Sequence, residues 1–387
     1  MAWEYIKFDK KKIILGNNRY LKDSSANKDI ERTIDIVFSS DNNYINHCAA
    51  AIASILLNCD NSSLLRFHIL DGGISDSNKR KILKLNKYRD FSVEFYDMTN
   101  FDFSNLPLNR SYISISTYYR LFLLDVLPKE INKVIYLDCD IIVEKDLKEL
   151  WETDITDYYA AVIEDEGSRL QQQRLKLPKQ NNYFNAGVAL FNLDKLREIN
   201  FKQKCFEYFE ANEEIILLQD QDILNGVLNG RCKFLPLCWN TNGRIYCGND
   251  LAKNYDLKEA ENAGYYPGII HYTDRKKPWN FKCNHPLMSE YWRYLKYTDF
   301  YSINDVVFLF LYNLKKILSF IFSVKREGAR HKISFFGFIF YKKSKALKNK
   351  QIINELKQKI SDLEEELMET KKGNIKNNEN INNNSQL

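Results

Sequence analysis

From Thr33 onward the hydrophobic positions fall into short runs that alternate with helical patterns. "TIDIVFSSD" (33–41) is followed by a helical period over about 45–57, the run "LRFHIL" (65–70), a lysine-rich helix over about 75–88, and the run "SVEFYDM" (92–98). Strands alternating with helices imply parallel pairing through right-handed crossovers, and so an α/β fold. "SISTYYRLFLLDVL" is helical in period, and "NKVIYLDCDIIV" reads as a buried strand. Apolar runs at 158–163, 186–191, 232–236 and 268–272 complete a mixed sheet. The pattern predicts one main domain over 33–300, behind a polar, weakly patterned extension over 1–32.

The pattern changes after about residue 303. "INDVVFLFLYNLKKILSFIFSV" is strongly apolar but is interrupted by Asn313, Lys315 and Lys316, which makes it a poor spanning helix. Between 306 and 350 there are eleven lysines and arginines against one acid, Glu327, with aromatic groups among them as in "ISFFGFIFYKK". Residues 301–346 are expected as a helical, basic, amphipathic appendage that lies against anionic lipid. Ile353, Leu356, Ile360, Leu363 and Leu367 then take heptad steps, so 347–370 is expected as a short charged helix able to self-associate. The asparagine-rich end, 371–387, has nothing to bury.

Charge and cysteine narrow the compartment. A net charge of +5 is modest for 387 residues, and no nucleic-acid partner is expected. The eight cysteines are scattered without metal-type spacing, which suits reduced thiols inside a cell. "MAWEYIKFDKKK" lacks the apolar core of a secretory signal. The expected place is the cytoplasm, peripherally at the inner face of the plasma membrane.

The candidate chemistry starts at "VIYLDCDIIV". Side chains two apart on a strand share a side, so Asp138 and Asp140 converge while Cys139 turns away. Two like charges together are costly without a cation between them, and ligands of open α/β sheets bind beyond the carboxyl ends of strands. The pair therefore reads as hard oxygen ligands for Mg²⁺ or Mn²⁺. The bland alternative is a pair of acids that end a strand in a turn.

The blocks "IDIVFSSDNNY", "FHILDGGIS", "ISISTYYRL", "VIYLDCDIIV", "YFNAGVALFNL", "LQDQDILN" and "HYTDRKKPWN", in that order, decide between the two. Together, over about 34–281, they resemble glycosyltransferase family eight, the retaining nucleotide-sugar enzymes that include glycogenin and bacterial lipooligosaccharide galactosyltransferases. The resemblance implies a GT-A fold, a Rossmann-like nucleotide-binding half joined to an acceptor-binding half. It implies transfer of galactose or glucose from a UDP-hexose to a glycan acceptor such as lipopolysaccharide, with Mn²⁺ as cofactor and Mg²⁺ as the alternative ion.

It also implies roles for individual residues. Asp138, Asp140 and His271 would hold the metal, and the Asp138-Cys139-Asp140 stretch would meet the donor. Asp41, Asn43 and Tyr44 would dock uracil and ribose, although Asp41 also suits an N-cap of the following helix. Arg120 would fork onto phosphate or sugar hydroxyls, and Asn185 and Asp165 would bind the donor sugar, with Glu164 open to confusion with Asp165. Asp220 would hold a sugar hydroxyl and Gln221 would stand beside the anomeric carbon, while helix capping accounts for one acid of the Asp220 and Asp222 pair. Lys277 would meet the leaving diphosphate. Asp274 stands where the family places glycine, and the alternative reading is a catalytically impaired, nucleotide-sugar-binding scaffold.

Overall fold

The computed structural model describes residues 32–343 except 104, 105, 107–113, 179, 181, 248–254, 274, 328, 329, 336 and 337, together with 12, 13, 15, 358 and 359. The chain divides into two units, 1–301 and 302–387.

The first unit is built on a seven-stranded sheet. Its strands are β1 (Arg32–Ser40), β2 (Ser63–Asp71), β3 (Phe91–Asp97), β4 (Lys133–Leu137), β6 (Ala160–Glu164), β7 (Phe184–Asn192) and β8 (Cys232–Phe234), in the order β3-β2-β1-β4-β7-β6-β8. The half from β3 to β4 is parallel, as the alternation of strands and helices predicts. At β7 the sheet turns antiparallel to both β4 and β6. The mixed α/β sheet is thus as expected.

Both faces of the sheet are covered, which is why its strands read as continuous apolar runs. Ile34, Ile36 and Phe38 of β1 pack on one side with the helix Ile45–Asn58, every residue of which is buried except Asn46. A helix apolar nearly all round has to be enclosed, and this one also meets the helix Met288–Leu295. Val37 points to the other layer, with Tyr118, Tyr136, Phe191 and Phe201.

One strand ends sooner than its apolar pattern suggests. "VIYLDCDIIV" breaks at Asp138, and Ile141–Val143 (β5) leaves the large sheet for a smaller one in the order β5-β10-β9, where β10 is Ile269–His271 and β9 is Thr241–Asn242. The two carboxylates therefore sit in the turn where the chain changes sheets.

The second unit holds the helix Ile303–Ile321 and a three-stranded antiparallel meander, β11 (Phe322–Glu327), β12 (Arg330–Phe335) and β13 (Phe338–Lys343). The expected helical appendage is thus corrected, because it is helical only as far as Ile321. "FSVKRE", "RHKISF" and "FIFYKK" are rich in β-branched and aromatic residues that alternate with polar ones, a strand signal that the apolar content hides. Among the described residues no helix is long and apolar enough to cross a membrane. The extension 1–32, the heptad helix 347–370 and the tail 371–387 lie outside the described residues, apart from 12, 13, 15, Arg32 and a helical pair at 358 and 359.

Candidate active site

The turn after β4 is fixed from three directions. The Asp138 N–H donates to the Gly187 carbonyl at 2.9 Å, and the Cys139 thiol points away from the two acids to donate to the Ser39 carbonyl at 3.1 Å. Antiparallel pairing sets His271 opposite Ile141, one residue beyond Asp140. His271 Nε2 then lies 3.2 Å from Asp140 Oδ1 and 3.7 Å from Asp138 Oδ2. One nitrogen and two carboxylate oxygens within 4.8 Å of one another form a donor set that could hold a metal ion.

The surroundings fit such an ion. His271 Nδ1 is engaged with Asn240 Oδ1 at 2.8 Å, which leaves Nε2 for the acids. Gly187 lines the same cradle, where a Cβ would clash with the His271 ring and come within 2.7 Å of Asp138 Oδ2. Lys277 Nζ donates to Asp140 Oδ2 and, at 2.7 Å, to the Tyr272 carbonyl. Burial pushes the Asp140 carboxyl up, but the Lys277 ammonium and the His271 imidazole override it and hold Asp140 far below the ordinary carboxylate range. The acid is therefore kept charged, as a ligand must be.

A second group lies across the cleft. Arg120, on a 3₁₀ segment Ile115–Phe122, is almost fully buried. Its guanidinium donates to Asp138 Oδ1 at 2.6 Å, to the Ala186 carbonyl at 2.6 Å and to the Thr117 carbonyl at 3.1 Å, and its Nε lies 3.0 Å from Asp220 Oδ2. Arg120 thus braces the two acids that flank the cleft. Burial pushes the Asp220 carboxyl up to about 6, against the opposing pull of Arg120 and of the Thr117 hydroxyl.

Asp220 and Gln221 open the helix Gln219–Val227, whose first residue has φ +48°. Asp222 holds this entry. Its Oδ2 accepts from the N–H groups of Leu217 and Leu218 at 2.8 and 2.7 Å, and its Oδ1 from Arg174 and the Tyr183 hydroxyl, each at 2.6 Å. Of the two acids in "QDQD", Asp222 serves the backbone and Asp220 faces the cleft. Gln221 Oε1 accepts from the Ala186 N–H at 3.0 Å and from Asn185 Nδ2 at 3.2 Å, and Gln221 Nε2 donates to Asp165 Oδ2 at 3.4 Å.

These groups surround one cleft of about 490 Å³. Tyr44, Arg120, Asp138, Cys139, Asp140, Asp165, Asn185, Asp220, Gln221, His271 and Lys277 all line it. Asp41 and Asn43 do not. Asp41 Oδ1 instead accepts from the N–H groups of Asn43 and Tyr44 at 2.9 Å each, the turn-capping role that its position before a helix allows. Glu164 is also absent from the lining, so the ambiguity with Asp165 falls to Asp165. Asp274 lies outside the described residues. Sequence reading misses Thr117, Glu166, Arg244 and Asn240. Glu166 directly follows Asp165 and lines the cleft with Thr117 and Arg244. Asn240 had a faint signal, an amide in the otherwise apolar "PLCWN".

Fold and site together define a GT-A glycosyltransferase. The family model for glycosyl transferase family 8 matches residues 35–283, and the chain belongs to that family. It is similar to general stress protein A of Bacillus subtilis (strain 168), 28% identical over 71% of this chain and 97% of the relative. It is also similar to lipopolysaccharide 1,2-glucosyltransferase of Escherichia coli (strain K12), 27% identical over 69% of this chain and 78% of that one. Among solved structures, the galactosyltransferase LgtC in complex with donor and acceptor sugar analogs superposes with a TM-score of 0.64, at 29% identity, covering 71% of this chain and all of LgtC.

Proposed function

We propose that this glycosyltransferase is a retaining hexosyltransferase that moves galactose or glucose from a UDP-sugar to a glycan acceptor, with lipopolysaccharide or another cell-surface glycan as the acceptor class. The observation that carries the reading is the convergence of Asp138, Asp140 and His271 with Asp220 and Gln221 on one cleft. The names of the lipopolysaccharide glucosyltransferase and of LgtC support the sugar and acceptor classes. The nitrogen-plus-carboxylate donor set favours Mn²⁺ over Mg²⁺.

Held by Asp138, Asp140 and His271, the ion would neutralise charge that grows on the diphosphate as the glycosidic bond breaks. Lys277, beside Asp140, supplies a second positive charge on the same side. Asp220 accepts from a hydroxyl of the donor sugar and fixes the ring in the cleft. Gln221 is uncharged, and its amide oxygen already accepts two hydrogen bonds, so it is a poor nucleophile. Its weak basicity favours attack from the leaving-group face, with the acceptor proton passing to the departing phosphate. Asn185 lines the cleft as a ligand for the donor sugar, and its amide also meets Asp165, Gln221, the Gly187 N–H and Asn240, which orients it there.

The experiment is UDP release with a panel of UDP-sugars, with and without Mn²⁺ and acceptor, followed by NMR of the product. Metal-dependent turnover and an α-linked product from an α-linked donor are expected. A β-linked product, or full turnover by Asp140→Ala, would overturn the reading.

A further inference from the structure

We propose that Asn240 is a positioning residue that couples the metal-binding imidazole to the Gln221 amide through a one-way chain of hydrogen bonds. The inference rests on the metal-dependent reading of the site. Asn240 is buried and is not part of the cleft lining.

The direction of the chain follows from two backbone groups that can only donate. The Ala186 N–H points at Gln221 Oε1 at 3.0 Å, and the Gly187 N–H points at Asn185 Oδ1 at 3.0 Å. These contacts identify which end of each amide is oxygen. With Asn185 Oδ1 so placed, Asn240 must approach it with its NH₂, at 2.9 Å. The Asn240 oxygen is then the atom that faces His271 Nδ1 at 2.8 Å, and Nδ1 must carry the imidazole proton. Nε2 is then the nitrogen that faces Asp138 and Asp140, and it is the one that would bind a cation held between them.

Onward from Asn185, Nδ2 donates to Gln221 Oε1 at 3.2 Å, and Gln221 Nε2 donates to Asp165 Oδ2 at 3.4 Å. Five side chains thus point their dipoles the same way, from His271 to Asp165. A positive charge on Nε2 strengthens the Nδ1–H as a donor, and each following amide is polarised in turn. The chain holds the Gln221 carbonyl toward Ala186 and Asn185 and fixes the pose of its amide in the cleft.

The test compares two variants with the wild-type chain at full length. Asn240→Asp keeps an oxygen against His271 Nδ1 but has no N–H for Asn185, so it cuts the chain while preserving the imidazole tautomer. Its Mn²⁺ affinity, read by electron paramagnetic resonance without substrate, should not fall below the wild-type value, because a carboxylate against Nδ1–H keeps or raises the basicity of Nε2, with the KM for the sugar donor unchanged and kcat lowered about 10- to 100-fold. Asn240→Ala removes both contacts and should weaken Mn²⁺ binding by about 10- to 100-fold. Wild-type kcat in Asn240→Asp, or wild-type Mn²⁺ affinity in a folded Asn240→Ala, would overturn the proposal. If Asn240→Ala does not fold, the near-isosteric Asn240→Asp decides alone. Absence of Mn²⁺ binding by the wild-type chain would sink the functional reading itself, and the coupling with it.

Discussion

Asp220 carries a buried carboxyl that its surroundings move toward neutral pH. Its carboxyl, raised by burial from an ordinary 3.8 to about 6, still holds a proton in the folded protein where the unfolded chain has lost it. Between about pH 4 and pH 6 this group's contribution to stability therefore falls as pH rises, and it is most favourable below that window. Activity should move the other way, because the charged form is the one that accepts from a sugar hydroxyl. The pH–rate profile of UDP release is expected to show an acid limb near pH 6, and Asp220→Asn should remove that limb and lower kcat about a hundredfold. A limb unchanged in the variant would assign it to another group. Little of this was legible beforehand. The carboxylate pair announced itself through spacing and position at a strand end, and His271 through the family resemblance alone. The bracing of two acids by one Arg120, and the internal contacts of the Asn185 amide, depend on partners far along the chain that no local pattern displays.

At the scale of elements, the entry to the helix Gln219–Val227 is held against its own backbone preference. A left-handed φ of +48° at Gln219 costs a non-glycine residue about 1–2 kcal/mol, and Asp222 offsets it by accepting four hydrogen bonds. Asp222→Ala would leave the Leu217 and Leu218 N–H groups and the Tyr183 hydroxyl without that acceptor. A loss of about 3–5 kcal/mol is expected by urea unfolding, with kcat falling as Asp220 and Gln221 lose their support. A loss under 1 kcal/mol would show that the helix entry stands without it. The parallel half of the sheet was readable because each strand is a compact apolar run set off by a helix. The break at Asp138 was not, since apolar residues continue on both sides of the turn and only tertiary pairing sends β5 to a different sheet. The meander after Ile321 was misread for a related reason, that aromatic-rich text such as "FFGFIFY" satisfies either periodicity.

At the scale of the whole molecule, the appendage carries a basic surplus that the chain as a whole, at +5, does not display. Eleven basic residues stand against one acid over 306–350, each worth about 1 kcal/mol on approaching an anionic surface, and on that ground we propose peripheral attachment at the inner face of the plasma membrane. Full-length protein should sediment with anionic liposomes at low salt and be released at high salt, whereas a chain lacking 302–387 should stay in the supernatant. Equal sedimentation by both would place the anchor elsewhere. The small sheet β5-β10-β9 carries a different kind of consequence. Its register is the ruler that brings His271 to acids laid down much earlier in the chain, and a slip of one residue would turn the imidazole to the opposite face. During synthesis the first two ligands emerge long before the third, so a cation has no complete home until β10 has closed in register. An ion bound there would thereby be a certificate of finished folding, and a partly made or misthreaded chain carries the signature acids without the chemistry.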